Sequence, residues 1–308
     1  MTKYFLVLIC FSFLVSCDQD DPRLGTWKQL NDFPFEGRGY AHSFSLLGKG
    51  YLMSGETVEH QFKDVWCYDP AADLWTRKND YPYSFSVACV VTTRDKAYVL
   101  DYTGTLYEYN PVTDSWKYLS TFPSGPRPSI TGFGLGGNVY FGTGLSMTPG
   151  EGYYHDFWKY DVSQNEWTQI GNLPGVGRSN AFSFVIGDHA YVGLGSSGDA
   201  PPIYPDVYRY NAKTGQWKQI AHFPEINLLM GNSFSTDSKG YIGLSEWNHA
   251  EMFEYDPVAN SWRRMRTFPS EFSSSNNSFT IDNRMFVFGG WSAKSGSYNS
   301  QHMWEFLP

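Results

Sequence analysis

The chain has 308 residues, of which 18% are aromatic and 18% are charged, and it contains 30 glycines and 17 prolines. This composition is typical of a turn-rich β protein and excludes a disordered chain or a helical bundle. The net charge of −8 excludes the basic surface that nucleic-acid binding needs, so no nucleic-acid partner is expected.

The N-terminal residues read as a targeting signal. Lys3 gives a positive start, and the apolar run over 4–15 is too short to span a membrane as a helix. The run ends at Cys17, after a Leu-Val-Ser sequence that resembles a bacterial lipobox, in which the cysteine becomes the lipidated first residue of the mature protein. We expect a lipoprotein signal peptide over 1–16, lipid such as palmitate on Cys17, and an acidic tether over 17–24. An ordinary signal peptide is the alternative.

The acidic tract after Cys17 does not decide on which side of the membrane the protein is displayed. It resembles the surface-export signal of some Gram-negative lipoproteins, but it equally suits an extended tether, because like charges repel. The sequence therefore predicts a protein anchored by lipid to the bacterial outer membrane, at the cell surface or on the periplasmic face.

One phrase then repeats along the chain: a Tyr that ends a β-like run, a short polar turn, and a Trp seven positions after the Tyr. The five complete pairs are Tyr68 and Trp75, Tyr109 and Trp116, Tyr160 and Trp167, Tyr210 and Trp217, and Tyr255 and Trp262. A sixth copy is split between Trp304 near the end of the chain and Trp27 near its start. Each copy contains four short runs, called strands a to d, with tight turns between a and b and between c and d.

The pattern resembles the kelch repeat, in which a strand ends in Gly-Gly and a Tyr and a Trp follow at this spacing. The Gly-Gly half is intact only at Gly289 and Gly290. The resemblance implies an all-β fold, with one domain over 25–308: a six-bladed kelch-type β-propeller closed by the N-terminal strand. Closure removes the sheet edges that invite aggregation, so we expect a monomer.

Residues that recur in most copies are interpreted as scaffold. Nine of the 11 Trp stand at repeat positions, and Asp69, Asp161 and Asp256 are interpreted as turn formers. The d–a links and b–c loops share one end of the ring, here called the loop face, and their lengths vary. The a–b and c–d turns share the other end, the turn face. Kelch propellers generally bind ligands on the loop face, so functional residues are sought there.

Three arginines on the loop face align just before strand a, namely Arg38, Arg127 and Arg178. In kelch propellers an Arg at this place often lines the channel mouth, and its planar fork suits a carboxylate or phosphate. We therefore expect the three to converge on an anionic or polar ligand. The alternative is that each pairs with its own loop carbonyls or with a neighbouring acid.

Aromatic and ionisable side chains complete the candidate site. Trp247 and Trp291 fall outside the repeat positions and could stack on a sugar or anchor an interface, with Tyr154 as a further candidate. A His–Glu acid–base pair on the loop face is also possible, and the candidates for it are His42, His60, His155 and His249 with Glu56, Glu151 and Glu246. No two histidines have a metal-ligand spacing, so neither a metal nor another cofactor is expected.

The absence of a nucleophile elbow, a phosphate-binding loop and a metal cluster from the sequence favours a binding module over an enzyme. The prediction is a lipid-anchored extracytoplasmic propeller that presents its loop face to a glycan or a protein. The alternative is a sugar-modifying enzyme, because some secreted bacterial kelch propellers are sialic-acid mutarotases (N-acetylneuraminate epimerase-like). That resemblance would assign the sugar carboxylate to the three arginines and proton transfer to Glu246 or His42. A copper oxidase like galactose oxidase is disfavoured, since that family has seven blades.

Overall fold

A computed structural model describes residues 21–57, 59–83, 86–198, 203–225, 231–245, 250–270, 276–290, 296 and 300–308. These residues form six four-stranded antiparallel sheets. In chain order the strands are β1 (Thr26–Gln29), β2 (His42–Leu46), β3 (Lys49–Met53), β4 (Val65–Asp69), β5 (Leu74–Lys78), β6 (Val87–Thr92), β7 (Ala97–Asp101), β8 (Thr105–Asn110), β9 (Ser115–Thr121), β10 (Thr131–Leu135), β11 (Asn138–Gly142), β12 (Asp156–Asp161), β13 (Glu166–Asn172), β14 (Phe182–Ile186), β15 (His189–Gly193), β16 (Val207–Asn211), β17 (Gln216–Gln219), β18 (Asn232–Ser235), β19 (Gly240–Gly243), β20 (Met252–Asp256), β21 (Ser261–Arg264), β22 (Asn277–Ile281), β23 (Arg284–Phe288) and β24 (Met303–Leu307).

The six sheets are the blades of a closed ring. The innermost strands β2, β6, β10, β14, β18 and β22 each contact the next, and β22 contacts β2. The last blade contains β22, β23, β24 and β1, with Thr26 opposite Leu307 and Gln29 opposite Trp304. The predicted six-bladed β-propeller closed by the N-terminal strand is therefore confirmed.

The spacing of Tyr and Trp follows from the geometry of the c–d turn. The hydroxyl of Tyr109 donates to Asp114 (2.7 Å), and that of Tyr255 donates to Asn260 (2.9 Å). Asp114 and Asn260 have φ of 47° and 50°, a left-handed conformation that Asp and Asn tolerate. Asp114 also accepts a hydrogen bond from the backbone N–H of Asn79 in the preceding blade (3.0 Å), so the turn joins two blades.

The repeated tryptophans pack between blades, as the scaffold interpretation predicts. Trp75 of the first blade lies in one hydrophobic cluster with Phe279 and Phe288 of the last blade. The indole N–H of Trp262 donates to the Ala221 carbonyl at the exit of the preceding blade (3.0 Å). These aromatic contacts hold neighbouring sheets together without a disulfide among the described residues.

Small residues in the innermost strands allow the blades to approach closely. The Ser183 hydroxyl donates to the Gly132 carbonyl of the preceding blade (2.6 Å), and the Ser233 hydroxyl donates to the Ser183 carbonyl (2.8 Å). A Cβ at Gly134 would lie 1.8 Å from the carbonyl oxygen of Thr92, so this position excludes any larger residue.

The backbone conformation of the Gly-Gly pair persists in four copies in which another residue stands in place of the first glycine. The residues with positive φ at that position are Ser54, Thr143, Leu194 and Leu244. A Cβ at the second position would collide with the link that precedes strand a, since at Gly195 it would lie 2.4 Å from the Ser179 carbonyl oxygen. The b–c loop and the d–a link of a blade therefore meet at the end of strand b, next to the predicted site.

The part of the chain that the structure describes contains no helix long and apolar enough to cross a membrane. The predicted signal peptide over 1–16 and Cys17 lie outside the described residues, as does the first half of the tether over 17–24.

Candidate functional site

Each predicted arginine forms an ion pair with an aspartate of its own blade. Arg127 donates to both carboxylate oxygens of Asp156 (2.5 and 2.8 Å) and to the Thr143 carbonyl (3.3 Å). Arg178 donates in the same way to Asp206 (2.6 and 2.9 Å). Asp156 is the first residue of β12 and Asp206 directly precedes β16, so each pair joins strand c to the d–a link.

The first blade has the same arrangement. Arg38 pairs with both carboxylate oxygens of Asp64 and donates to the Ser54 carbonyl (3.2 Å). The indole N–H of Trp66, two residues after this aspartate, also donates to it (2.7 Å). Trp158 and Tyr208 hold the other two aspartates in the same manner. We call these three units the Arg–Asp clamps.

An aromatic ring covers each guanidinium. The predicted ligand residue Tyr154 lies over Arg127, with its ring centroid 3.7 Å from the guanidinium carbon, and its hydroxyl donates to Glu151 (3.2 Å). Phe62 covers Arg38 at 3.7 Å, and Tyr204 covers Arg178 at 4.8 Å. Such cation–π contacts stabilise a buried guanidinium.

The ion pairs of the clamps also lower the pKa values of two of the aspartates. Burial works to raise the pKa of Asp156, but hydrogen bonds from Arg127 and Trp158 outweigh it and hold the pKa below the usual 3.8. Asp206 is affected in the same way by Arg178. Both aspartates are therefore ionised at neutral pH, and each cancels the charge of its arginine.

The three arginines therefore make the contacts of the alternative given above, in which each arginine pairs with loop carbonyls or with a neighbouring acid. Their side chains are at most 2% exposed, and none of them lines the loop-face cavities described below. The expected convergence on a ligand at the channel mouth is therefore not what their positions show. Direct ligand binding by these arginines stays a prediction, and it would require a ligand that displaces a paired carboxylate.

The sequence contained a signal for the clamps that alignment of the arginines alone missed. Asp64, Asp156 and Asp206 stand two residues before an aromatic residue of strand c. They occur in the three copies that carry the arginine, whereas the equivalent positions of the other copies hold Thr105, Glu251 and His302. The arginine and the aspartate thus occur together.

The residue two positions after each arginine reaches the channel instead. Tyr40, Ser129 and Asn180 have φ of 51°, 55° and 55°, and all three line a loop-face cavity of about 340 Å³. Left-handed backbone is uncommon for a bulky residue such as Tyr, and strain of this kind concentrates at functional sites. Sequence reasoning missed these residues because backbone conformation is not visible in residue type.

A second cavity of about 330 Å³ adjoins the first, and Tyr40 and Tyr102 line both. Tyr40 is 61% exposed and Tyr102 is 42% exposed, so both side chains are partly accessible to solvent where they line the two cavities. We call the second cavity the tyrosine slot. Its other lining residues are Ala41, His42, Gly55, Glu56, Gln61, Ser86 and Val87.

The predicted candidate His42 lies in the tyrosine slot as a neutral side chain. Burial lowers its pKa to about 4, and its Nε2 is 2.9 Å from the Val87 carbonyl oxygen. At neutral pH the Nε2–H therefore donates to that carbonyl and links the first two blades. The other acid–base candidate, Glu246, lies outside the described residues, as do Trp247 and Trp291, so the roles of those three stay predictions.

Glu56 supplies a carboxylate to the slot. It accepts a hydrogen bond from the Gln61 side chain (3.1 Å) and has no ion-pair partner among the residues that the structure describes. Burial raises the pKa of Tyr102, and the negative charge of Glu56 raises it further. The charge of Glu56 therefore acts on one of the two tyrosines that line the slot. No three His, Cys, Asp or Glu side chains come together to hold a metal ion within the described ranges.

A third cavity, of about 790 Å³, opens on the turn face. Hydroxyl side chains of the innermost strands line much of it, including Ser183 and Ser233. These hydroxyls donate to backbone carbonyls of neighbouring blades, so the wall of this larger cavity belongs to the scaffold.

No family model matches the chain. It is similar to Kelch repeat and BTB domain-containing protein 8 of Xenopus tropicalis (29% identity over 140 residues, 44% of the chain and 22% of the relative) and to Kelch-like protein terF of Aspergillus terreus (26% over 196 residues, 56% and 42%). It is also similar to N-acetylneuraminate epimerase of Shigella sonnei (32% over 80 residues, 25% and 22%). The matches span less than half the length of these relatives. Together with the six-bladed ring, they identify the chain as a β-propeller of the kelch type.

Proposed function

We propose that the protein is a lipid-anchored extracytoplasmic binding propeller whose loop face binds a protein ligand. The observation that carries the proposal is the pair of exposed rings, Tyr40 and Tyr102, above two adjoining recessed cavities. Interfaces are anchored by aromatic side chains of this kind, which contribute a large contact area with little conformational freedom to lose.

The distribution of exposed apolar and aromatic side chains over several blades favours a protein over a small sugar. Tyr40 and Tyr102 belong to the first two blades, and exposed Met147 and Val176 belong to loops of the third and fourth. A surface that spans several blades suits an extended partner, whereas one sugar would fill only one cavity. A glycan remains the alternative ligand of the same surface.

Site-specific photo-crosslinking tests where the ligand binds. A photoreactive phenylalanine analogue replaces Tyr102 on the loop face or, as the control, the exposed Tyr118 on the outer strand β9. We expect crosslinked protein from position 102 and none from position 118, as detected by mass spectrometry. Equal crosslinking from both positions, or crosslinking only from 118, would contradict the proposal.

Lipid anchoring through Cys17 is supported by the lipobox-like sequence before it. A Cys17→Ser variant should lose palmitate labelling and leave the membrane fraction, because the serine has no thiol to which the lipid could be attached. Membrane association that persists unchanged in this variant would rule out the anchor. Protease access in whole cells then separates the cell surface from the periplasmic face.

A sialic-acid mutarotase is the second candidate, and the observation in its favour is the 80-residue similarity to N-acetylneuraminate epimerase. The arginines that would bind the sugar carboxylate are paired with Asp64, Asp156 and Asp206. NMR measurement of N-acetylneuraminate anomerisation decides the question. Acceleration by catalytic amounts of the protein would establish the enzyme, and an unchanged rate would exclude it.

A further inference from the structure

We propose that the tyrosine slot receives a basic side chain, Lys or Arg, from the protein ligand. The inference rests on the proposed function, since it assigns a chemistry to one part of the binding surface. It reverses the charge expected from the three arginines, which pointed to an anionic ligand.

The reversal follows from how the charges of the loop face are paired. Each arginine is neutralised by the aspartate of its clamp, so the clamps present no net positive charge. Among the described residues of the first blade's loops, the charges outside the clamp are Asp32, Glu36, Glu56, Glu59 and Lys63. This side of the loop face is therefore acidic, and it attracts a basic partner over several ångströms.

The slot itself has the groups that hold a cation. Tyr40 and Tyr102 form its walls, and aromatic faces attract ammonium and guanidinium groups. Glu56 supplies a carboxylate with no ion-pair partner among the described residues, and the Gln61 amide fixes its position (3.1 Å). A long basic side chain can pack its methylene groups between the rings while its charged end reaches this carboxylate.

The remaining lining residues add no opposing charge. His42 is neutral at pH 7 because burial lowers its pKa to about 4, and its Nε2–H is directed to the Val87 carbonyl. Ala41, Gly55 and Ser86 are uncharged. An acidic side chain would face Glu56 with no described cation in the slot to compensate, so the slot discriminates against acidic ligands.

A random-peptide array probed with the purified propeller tests the proposal. We expect the bound peptides to share a Lys or Arg, and we expect replacement of that residue by norleucine to lower affinity about tenfold, the size of one charge-assisted hydrogen bond. The Glu56→Gln variant should lose the same factor. The matched control is Glu59→Gln, which removes the same charge from the same loop outside the slot and should lower the affinity far less than Glu56→Gln does.

The outcomes separate this inference from the proposed function. Peptides bound without preference for a basic residue, or bound equally by wild type and Glu56→Gln, would overturn the basic-side-chain assignment and leave protein binding intact. Capture of a glycan on a parallel glycan array, with no peptide bound by any variant, would overturn the proposed protein ligand itself. Thermal unfolding of each variant confirms that a loss of binding is not a loss of fold.

Discussion

The two ends of the channel contain similar polar residues but use them differently. On the turn face, the bond from a Tyr hydroxyl to a turn Asp or Asn recurs in four blades, and these groups bond to their own or neighbouring blades, as Asp114 does with Tyr109 and Asn79. On the loop face the Arg–Asp clamps recur in three blades, whereas Tyr102 does not recur and Glu56 has a counterpart only in Glu246 of the fifth copy. Recurrence, rather than the chemistry of a residue, therefore separates scaffold from candidate site.

Removal of the closing strand should have the largest effect. Deletion of 24–31 takes away β1, whose Trp27 packs against Phe268 and Phe306 at 4.7 and 4.8 Å between ring centroids. The last blade would be left with an open edge on β24, so we expect unfolding or oligomerisation, measured by circular dichroism and light scattering. A monomeric truncation as heat-stable as the full chain would contradict the closure.

Loss of one partner of a clamp should come next. Asp156→Ala leaves the buried Arg127 guanidinium without a counter-charge and should lower the free energy of unfolding by about 3–5 kcal/mol in urea. The paired replacement Arg127→Met with Asp156→Leu removes both charges and should restore most of that loss. A small effect of Asp156→Ala alone would show that the clamp is not the scaffold element described above.

His42 should make stability depend on pH at the loop end of the ring. In the unfolded chain it binds a proton below its usual pKa of 6.5, while in the folded protein it stays neutral down to about 4. The unfolded state thus binds more protons in this window, so the free energy of unfolding should fall as the pH falls, by up to about 3 kcal/mol. The His42→Gln variant should show a smaller fall between pH 6.5 and pH 4, and an unchanged slope would contradict a buried neutral histidine.

A turn-face substitution should have the smallest effect. In the fourth blade the left-handed turn position is Gly215 (φ 68°), where the first, second, third and fifth blades have Asp or Asn, and its Cβ would meet no atom within 4 Å. Gly215→Asn gives Tyr210 the acceptor that its counterparts have and reduces the freedom of the unfolded chain. We expect a gain of about 0.5–1 kcal/mol in urea unfolding. A loss of stability would mean that the turn pattern is not transferable between blades.

The fold could be predicted because the residues that make the same contacts recur at the same spacing in several copies along the chain. The Tyr and Trp seven residues apart reflect one turn geometry, and the split copy reflects the pairing of β1 with β24. The Gly-Gly pair predicted the copies less well than the Tyr and Trp did, because Ser54 and Leu194 adopt the same positive φ without being glycine.

The candidate site was predicted only in part. Aligning the copies located Arg38, Arg127 and Arg178, but their burial depends on partners that stand 26 to 29 residues further along the chain. Tyr40 and Tyr102 were missed because most tyrosines of this chain belong to the scaffold. Tyr102 replaces a residue of the Gly-Gly pair, and that departure from the repeat was the available signal.

Equilibrium binding of the partner identified by crosslinking tests the central claim most directly, with two variants compared side by side. Tyr40→Asn with Tyr102→Ala removes both rings, and Asn suits the left-handed backbone because Asn180 occupies the equivalent place. We expect this variant to lose roughly 2 kcal/mol, about 30-fold in affinity, while the Arg127→Met and Asp156→Leu pair binds as wild type. The opposite pattern, with binding retained without the tyrosines and lost with the clamp, would contradict the account and return the arginines to the ligand site.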